Sequence, residues 1–188
     1  LDQRSVGFKP KPFDPTLNDE QRQDSRVADP VLKEGALLTN VYNRLARSCF
    51  YEAQKNFEGY MPLGKVTDDV VERAKDALLE YESLMHKVEL HSVMQLCDTF
   101  IRYANKYWAD NIKRVCDEMP AREDGEVDGV SPVITQAHRQ VLIDSFYLLR
   151  ISTLMMHPIV PAGSELICEY LDFDPSEFFN WNFDFEDM

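Results

Sequence analysis

The sequence has no long hydrophobic run, which argues against a membrane-spanning protein. Its unbroken apolar stretches are only a few residues long, whereas a helix needs about 20 apolar residues to cross a bilayer. The opening segment LDQRSVGFKPKPFDP is polar and rich in proline, so it does not resemble a secretory signal. We therefore expect a cytoplasmic protein without a membrane partner. The first residue is not methionine, which suggests a part of a longer protein.

Cysteines are few, and none of the four stands in a C-x-x-C pair. Cys49, Cys97 and Cys168 lie within apolar segments with a helical pattern, and the fourth cysteine is Cys116. Reduced core residues of a cytosolic protein are the favoured interpretation. A zinc site or a disulfide framework stays open as the alternative.

Positive charge is also scarce, since the formal net charge is −13. This argues against a general nucleic-acid-binding protein, which should be basic. The acidic residues are concentrated, however, in segment 117–130 and in the tail 164–188, which has no Lys or Arg. Segments 31–65 and 99–116 each carry more bases than acids. Such local positive patches can meet a phosphate backbone.

Motifs of catalysis are missing as well. The chain has no glycine-rich phosphate loop, no H-E-x-x-H and no G-x-S-x-G. Its four histidines are scattered, and Glu82 and His86 are four residues apart rather than the three of a di-metal Glu-x-x-His motif. We therefore assign no catalytic residue, no metal ligand and no cofactor to this chain.

What the sequence does contain is apolar residues at helical spacing. They predict an all-α protein, an antiparallel bundle of four long helices with a short fifth helix. Residues 1–30, which contain four prolines, are expected to form an extended arm; residues 31–172 form the bundle, and 173–188 form an acidic aromatic tail. The predicted helices span about 30–57, 67–88, 90–116, 132–157 and a short stretch after Pro161.

Several residues mark the helix ends. Thr67 is a plausible N-cap for the second helix, and Ser131 caps the fourth, with Pro132 in its first turn. The break between the second and third helices, at 86–91, has neither Gly nor Pro. Pro158 and Pro161 form a stiff elbow, because proline cannot continue a helix.

Three segments, in this order, resemble the anticodon-binding domain of methionyl-tRNA synthetases, which are class I aminoacyl-tRNA synthetases. The first is NRLAR at 43–47, similar to the family pattern N-L-A-x-R. The second is FIRYANKY at 100–107, similar to a segment that ends A-N-R/K-Y. The third is the apolar helix, the P-x-x-P elbow and the short helix at 148–171. Together they cover about residues 35–172.

This resemblance implies an anticodon site. Asn43 and Arg47 would point toward the anticodon loop from one helical face, and Lys113 and Arg114 would complete the site at the end of the third helix. Arg44 and Lys106 would contact phosphates. The partner would be a tRNA anticodon stem-loop.

The resemblance also implies a catalytic domain outside this chain. The synthetase signatures, an H-x-G-H-like motif and a K-M-S-K-S-like loop, are absent here. An upstream domain would therefore bind ATP and carry out aminoacylation.

The chain departs from the family pattern at one functional position. The family's Ala-Pro-Trp, whose Trp stacks on a base, is replaced by Ile112-Lys113-Arg114, and Trp108 is expected in the core. An alternative is therefore a synthetase-derived bundle that docks proteins without reading an anticodon. An unrelated helical adaptor is a third interpretation.

The aromatic residues of the tail, Phe178 to Phe185, allow two interpretations. They are expected to cover the bundle's own end, since free aromatic patches are aggregation hazards. Dimerisation through these rings is the alternative, and the oligomeric state stays open.

Overall fold

The computed structural model describes residues 37–117 and 135–181, together with Thr16, Asn18 and Asp19. This part of the chain is helical and contains no strand, which confirms the predicted all-α bundle. A π-helical segment, Leu37–Tyr42, leads into the first α-helix. The α-helices are α1 (Asn43–Asn56), α2 (Asp68–His86), α3 (Leu90–Asp117), α4 (Gln136–Met156), α5 (Pro161–Tyr170) and α6 (Pro175–Phe178).

The long helices alternate in direction, as predicted. Tyr42, just before α1, bonds Thr153 near the end of α4, and Glu52 bonds His138 near its start. Helix α1 therefore runs antiparallel to α4. In α3, Cys97 contacts the carbonyl of Met155 near the end of α4, whereas Tyr107, further along α3, bonds Asp144 nearer the start of α4. Helix α3 is therefore also antiparallel to α4.

Helix α4 is the central helix. Every residue from 141 to 149 and from 151 to 156 is buried, because α1, α2 and α3 all pack around it. The predicted inward residues Val141, Leu142, Ser145, Leu148, Leu149, Ser152 and Met156 are all among them. A helix that is buried on all sides must satisfy its polar side chains internally. Ser145 and Ser152 do so by donating to the carbonyls of Val141 and Leu148.

The structure confirms the predicted start of the second helix and corrects that of the fourth. Helix α1 begins at Asn43, and residues 30–36 lie outside the described residues. Thr67 is at the N-cap of α2, but its side chain makes no capping bond. It donates to Asp144 instead. Helix α4 begins at Gln136 rather than Pro132, and its cap is Thr135, whose hydroxyl accepts from the His138 amide; Ser131 and Pro132 lie outside the described residues.

The turn between α2 and α3 is a Schellman motif without glycine. The Val88 amide donates to the Met85 carbonyl and the Glu89 amide to the Leu84 carbonyl, which is the bonding pattern of that motif. Val88 has a positive φ of 59°, in the left-handed region that glycine usually occupies. This explains how the chain breaks at 86–91 without Gly or Pro.

The elbow after α4 has the predicted form. Helix α4 ends at Met156, and Pro161 starts α5 in its first turn. The described part of the tail folds back onto the bundle. Phe178 is fully buried, Phe179 stacks on His157 with ring centroids 3.9 Å apart, and the Trp181 ring lies 5.3 Å from Tyr81. These rings cover the bundle's own end, as expected; residues 182–188 lie outside the described residues.

Cys49, Cys97 and Cys168 are buried free thiols. Burial raises the pKa of each, that of Cys97 to about 12. The Cys116 side chain lies outside the described residues. Within the residues that are described, no helix is long and apolar enough to span a membrane, and no cluster of three metal-ligating side chains occurs.

Candidate nucleic-acid interface

A groove of about 750 Å³ runs between α1 and the elbow with α5. One wall is the outer face of α1, and the other comes from Val160 and α5. The two walls meet because α1 turns Leu45, Cys49 and Ala53 into the core, so the residues beside that stripe face the neighbouring helix. The groove lies between segments more than 100 residues apart in sequence.

The polar side chains of this groove come from α1. Asn43 and Arg47 are exposed, stand one helical turn apart and both line it, with Gln54 further along. Among the described residues, no Asp or Glu lines the groove, although the whole chain has 33 acids and 20 bases. In the described part of the chain, the groove therefore presents one guanidinium and two amides without a competing carboxylate.

The floor of the groove is apolar and anchored to the core. Tyr42 is buried there, and its hydroxyl donates to Thr153 Oγ1 over 3.0 Å. Burial raises the pKa of Tyr42, and the hydrogen bond with Thr153 opposes this effect only in part. The hydroxyl therefore stays protonated at neutral pH. Phe50, also in the lining, packs edge to face on Phe146 with centroids 5.7 Å apart.

A second depression, of about 520 Å³, lies on the adjoining face of α1. It is lined by Asn40, Arg44, Arg47, Ser48 and Tyr51. Arg47 borders both this depression and the groove. Neither arginine forms an ion pair with any carboxylate of the described residues. Helix α1 thus carries two adjacent guanidinium groups that are open to solvent.

The remaining predicted site residues lie on α3. Lys106, Lys113 and Arg114 are exposed there, and Arg114 donates from Nη2 to Asn111 Oδ1 over 3.0 Å. None of the three lines the groove. The structure therefore brings Asn43, Arg44 and Arg47 together on α1, while the contribution of the α3 residues stays a prediction.

Helix α3 does reach the start of α1. Asn105 Nδ2 donates to the Val41 carbonyl over 2.9 Å and to the Ile101 carbonyl over 3.0 Å. Asn105 belongs to the predicted FIRYANKY segment, so this segment positions the beginning of the Asn43–Arg47 face. Trp108 is partly buried and packs against the core, as expected.

Sequence reasoning missed the wall formed by α5. Gly163, Leu166, Ile167 and Tyr170 all line the groove. Their spacing of three and four residues places them on one face of a helix. That spacing was a usable signal, but only the tertiary structure shows what the face meets.

Comparisons with known proteins agree with the fold and with the resemblance. No protein-family model matches the chain. Over 132 residues, 70% of the chain, the sequence is 26% identical to the methionine–tRNA ligase of Haloarcula marismortui. The chain spans 16% of the length of that relative.

Two solved structures of methionyl-tRNA synthetase from Mycobacterium tuberculosis share the fold. The complex with methionyl-adenylate superposes with a TM-score of 0.60, covering 80% of this chain, and the free state with 0.59, covering 78%. Both are 19% identical, and the chain spans 29% of each. The sequence match and the shared helical fold confirm the predicted similarity to methionyl-tRNA synthetase.

Proposed function

We propose that this chain is the tRNA anticodon-recognition part of a methionyl-tRNA synthetase or a related protein of the cytoplasm. Its partner is the anticodon stem-loop, and ATP-dependent aminoacylation belongs to a catalytic domain upstream of it. One observation carries the proposal: Asn43 and Arg47 line a groove to which the described residues contribute no carboxylate, in a chain similar to methionine–tRNA ligase.

The polar side chains that line the groove suit a nucleobase. The Asn43 amide offers two donors and an acceptor to a base edge, and the Arg47 guanidinium can bind a base or a phosphate as a fork. RNA is read by sequence mainly in single-stranded loops, where bases can leave the stack. An anticodon is such a loop, and the apolar floor of the groove suits the ring of an unstacked base.

Local charge supports the same proposal. The net charge of −13 disfavours RNA binding by the chain as a whole, so binding needs a local positive patch. Arg44 and Arg47 supply one on α1, with Arg44 and Lys106 as phosphate contacts. Lys113 and Arg114 would add base or phosphate contacts from α3.

The first prediction concerns the polar side chains that line the groove. Asn43→Ala and Arg47→Ala should each weaken binding of a stem-loop RNA with the methionine anticodon CAU by about tenfold. They should also reduce the preference over a stem-loop with a changed anticodon, since base contacts carry specificity. Fluorescence anisotropy at about 100 mM salt measures both, because affinity for RNA depends on salt.

Two matched variants control for charge and for helix composition. Lys55→Ala removes a cation from the same helix, and Gln95→Ala removes an exposed amide from α3; neither residue lines the groove. Both should bind RNA as the unmodified chain does. Unchanged anticodon preference in the Asn43 and Arg47 variants would disprove the site. If the unmodified chain bound no RNA, alone or within a longer parent, the docking interpretation would replace the proposal.

A further inference from the structure

The groove has an exposed aromatic ring on the wall opposite Asn43 and Arg47. Tyr170, in the last turn of α5, lines the groove and is 65% exposed. Most of the ring surface is therefore open to a ligand, and the same groove is lined by an amide and a guanidinium from α1.

The Tyr170 ring is held in position by its neighbours. Phe50 packs edge to face against it, with centroids 5.9 Å apart and planes at 82°, and Phe50 itself packs on the buried Phe146. This chain of ring contacts links an exposed side chain to the centre of the bundle. A ring that is already oriented loses less conformational freedom when a ligand binds.

Further apolar residues line the groove on the side of α5. Gly163 is one of the lining residues, and a Cβ at this position would lie 3.1 Å from Val160 Cγ1. Leu166, which is 45% exposed, and Ile167 extend the apolar surface. The groove of about 750 Å³ lies within the range of roughly 300–1,000 Å³ that small-ligand sites occupy.

We infer that Tyr170 is the stacking platform for one unstacked base of the bound RNA loop. The base lies in the groove with its face on the Tyr170 ring, and its edge reaches Asn43 and Arg47 on the opposite wall. This inference rests on the proposed function and names the residue that supplies the stacking surface. The described residues place an arginine and no carboxylate in the lining, which favours RNA over a basic peptide as the occupant.

The test compares three substitutions at exposed tyrosines. Tyr170→Ala should weaken binding of the CAU stem-loop by about tenfold or more, the loss expected for one base–aromatic stack. Tyr170→Phe keeps the ring and should bind within about twofold of the unmodified chain, because stacking needs no hydroxyl. Tyr60→Ala is the matched control, since Tyr60 is 75% exposed and does not line the groove; it should leave binding unchanged.

Abasic RNA identifies the stacked position. Removing the base at each anticodon position in turn should weaken binding to the unmodified chain. At one position the Tyr170→Ala variant should show no further loss, because the base and the ring form a single contact. Equal losses at all positions would mean that the substitution disturbs the fold, and would overturn the inference.

The failure of this inference can be told apart from the failure of the proposed function. If Asn43→Ala and Arg47→Ala weaken binding but Tyr170→Ala does not, the stacking role is wrong and anticodon recognition stands. If Tyr170→Phe loses as much as Tyr170→Ala, the hydroxyl and not the ring makes the contact, which also overturns it. Absence of any RNA binding overturns both proposals.

Discussion

Asp144 shows how one side chain can organise several elements. It is fully buried on α4 and accepts four hydrogen bonds. Thr67 donates from its amide over 2.9 Å and from its hydroxyl over 2.7 Å. Tyr107 donates from α3 over 2.6 Å, and Gln140 Nε2 donates over 2.9 Å. The carboxylate thereby ties the start of α2 and the middle of α3 to the central helix.

We expect Asp144→Ala to lower the free energy of unfolding by about 3 kcal/mol, since it removes the buried acceptor that four partly buried hydrogen bonds share. Asp144→Asn should cost less, because the amide keeps the shape and one strong acceptor. Asp76→Ala, at an exposed position of α2, should change the value by less than about 0.5 kcal/mol. Urea unfolding followed by circular dichroism measures all three. An Asp144→Ala variant as stable as Asp76→Ala would show that the network adds no stability.

At the scale of elements, the turn between α2 and α3 carries backbone strain. Val88 is exposed and has a φ of 59°. A β-branched residue in the left-handed region is unfavourable. The motif forms nonetheless because its two amide bonds and the packing of α2 on α3 hold the chain there. Asp172 occupies the same position after α5, with a φ of 57° and the same two bonds.

Val88→Gly should therefore stabilise the protein by about 1 kcal/mol, because glycine adopts this conformation without a steric penalty. Asp172→Gly is the matched control at the equivalent position. Its gain should be smaller, since Asp tolerates the left-handed region better than Val. Thermal unfolding of both variants gives the comparison. A Val88→Gly variant that is less stable than the unmodified chain would contradict the account of the turn.

At the scale of the whole molecule, burial of tyrosines makes stability depend on alkaline pH. Burial raises the pKa of Tyr42, Tyr81 and Tyr107 above the ordinary value of 10.0, and the hydrogen bond with Asp144 raises that of Tyr107 further. The folded state thus holds these phenols protonated at a pH at which the unfolded chain has begun to lose its protons. Their contribution to stability is complete below pH 10 and is lost as the pH rises through the folded-state values.

We expect the urea midpoint to fall above about pH 8.5, where the buried thiols begin to contribute, and to fall more steeply above about pH 10 through these phenols. Tyr81→Phe should make this fall shallower, because it removes one of the shifted groups. Tyr60→Phe, at an exposed position, should keep the slope of the unmodified chain. Urea titrations at several pH values, with phenolate absorbance as a second signal, provide the measurement. If the urea midpoint of Tyr81→Phe fell with pH as steeply as that of Tyr60→Phe, burial of Tyr81 would not contribute to the loss of stability at alkaline pH.

The sequence by itself determined the helices and their alternation. Apolar residues at a period near 3.6 mark the buried stripes of α1 to α4, and this signal is local, so it can be read without the fold. The elbow followed from Pro158 and Pro161 for the same reason, since proline acts on its own backbone. The placement of Asn43 and Arg47 on one exposed face of α1 also needed only helical geometry.

Only the tertiary structure decided what those faces meet. Thr67 was expected to cap α2, but a carboxylate 77 residues away competes for its hydroxyl. Val88 holds a position that sequence preference gives to glycine, because packing outweighs the local strain. The groove itself lies between α1 and α5, and Tyr170 comes to line it with Asn43 and Arg47 only because the elbow folds α5 back. Contacts between distant segments depend on the whole packing arrangement, and no local pattern encodes them.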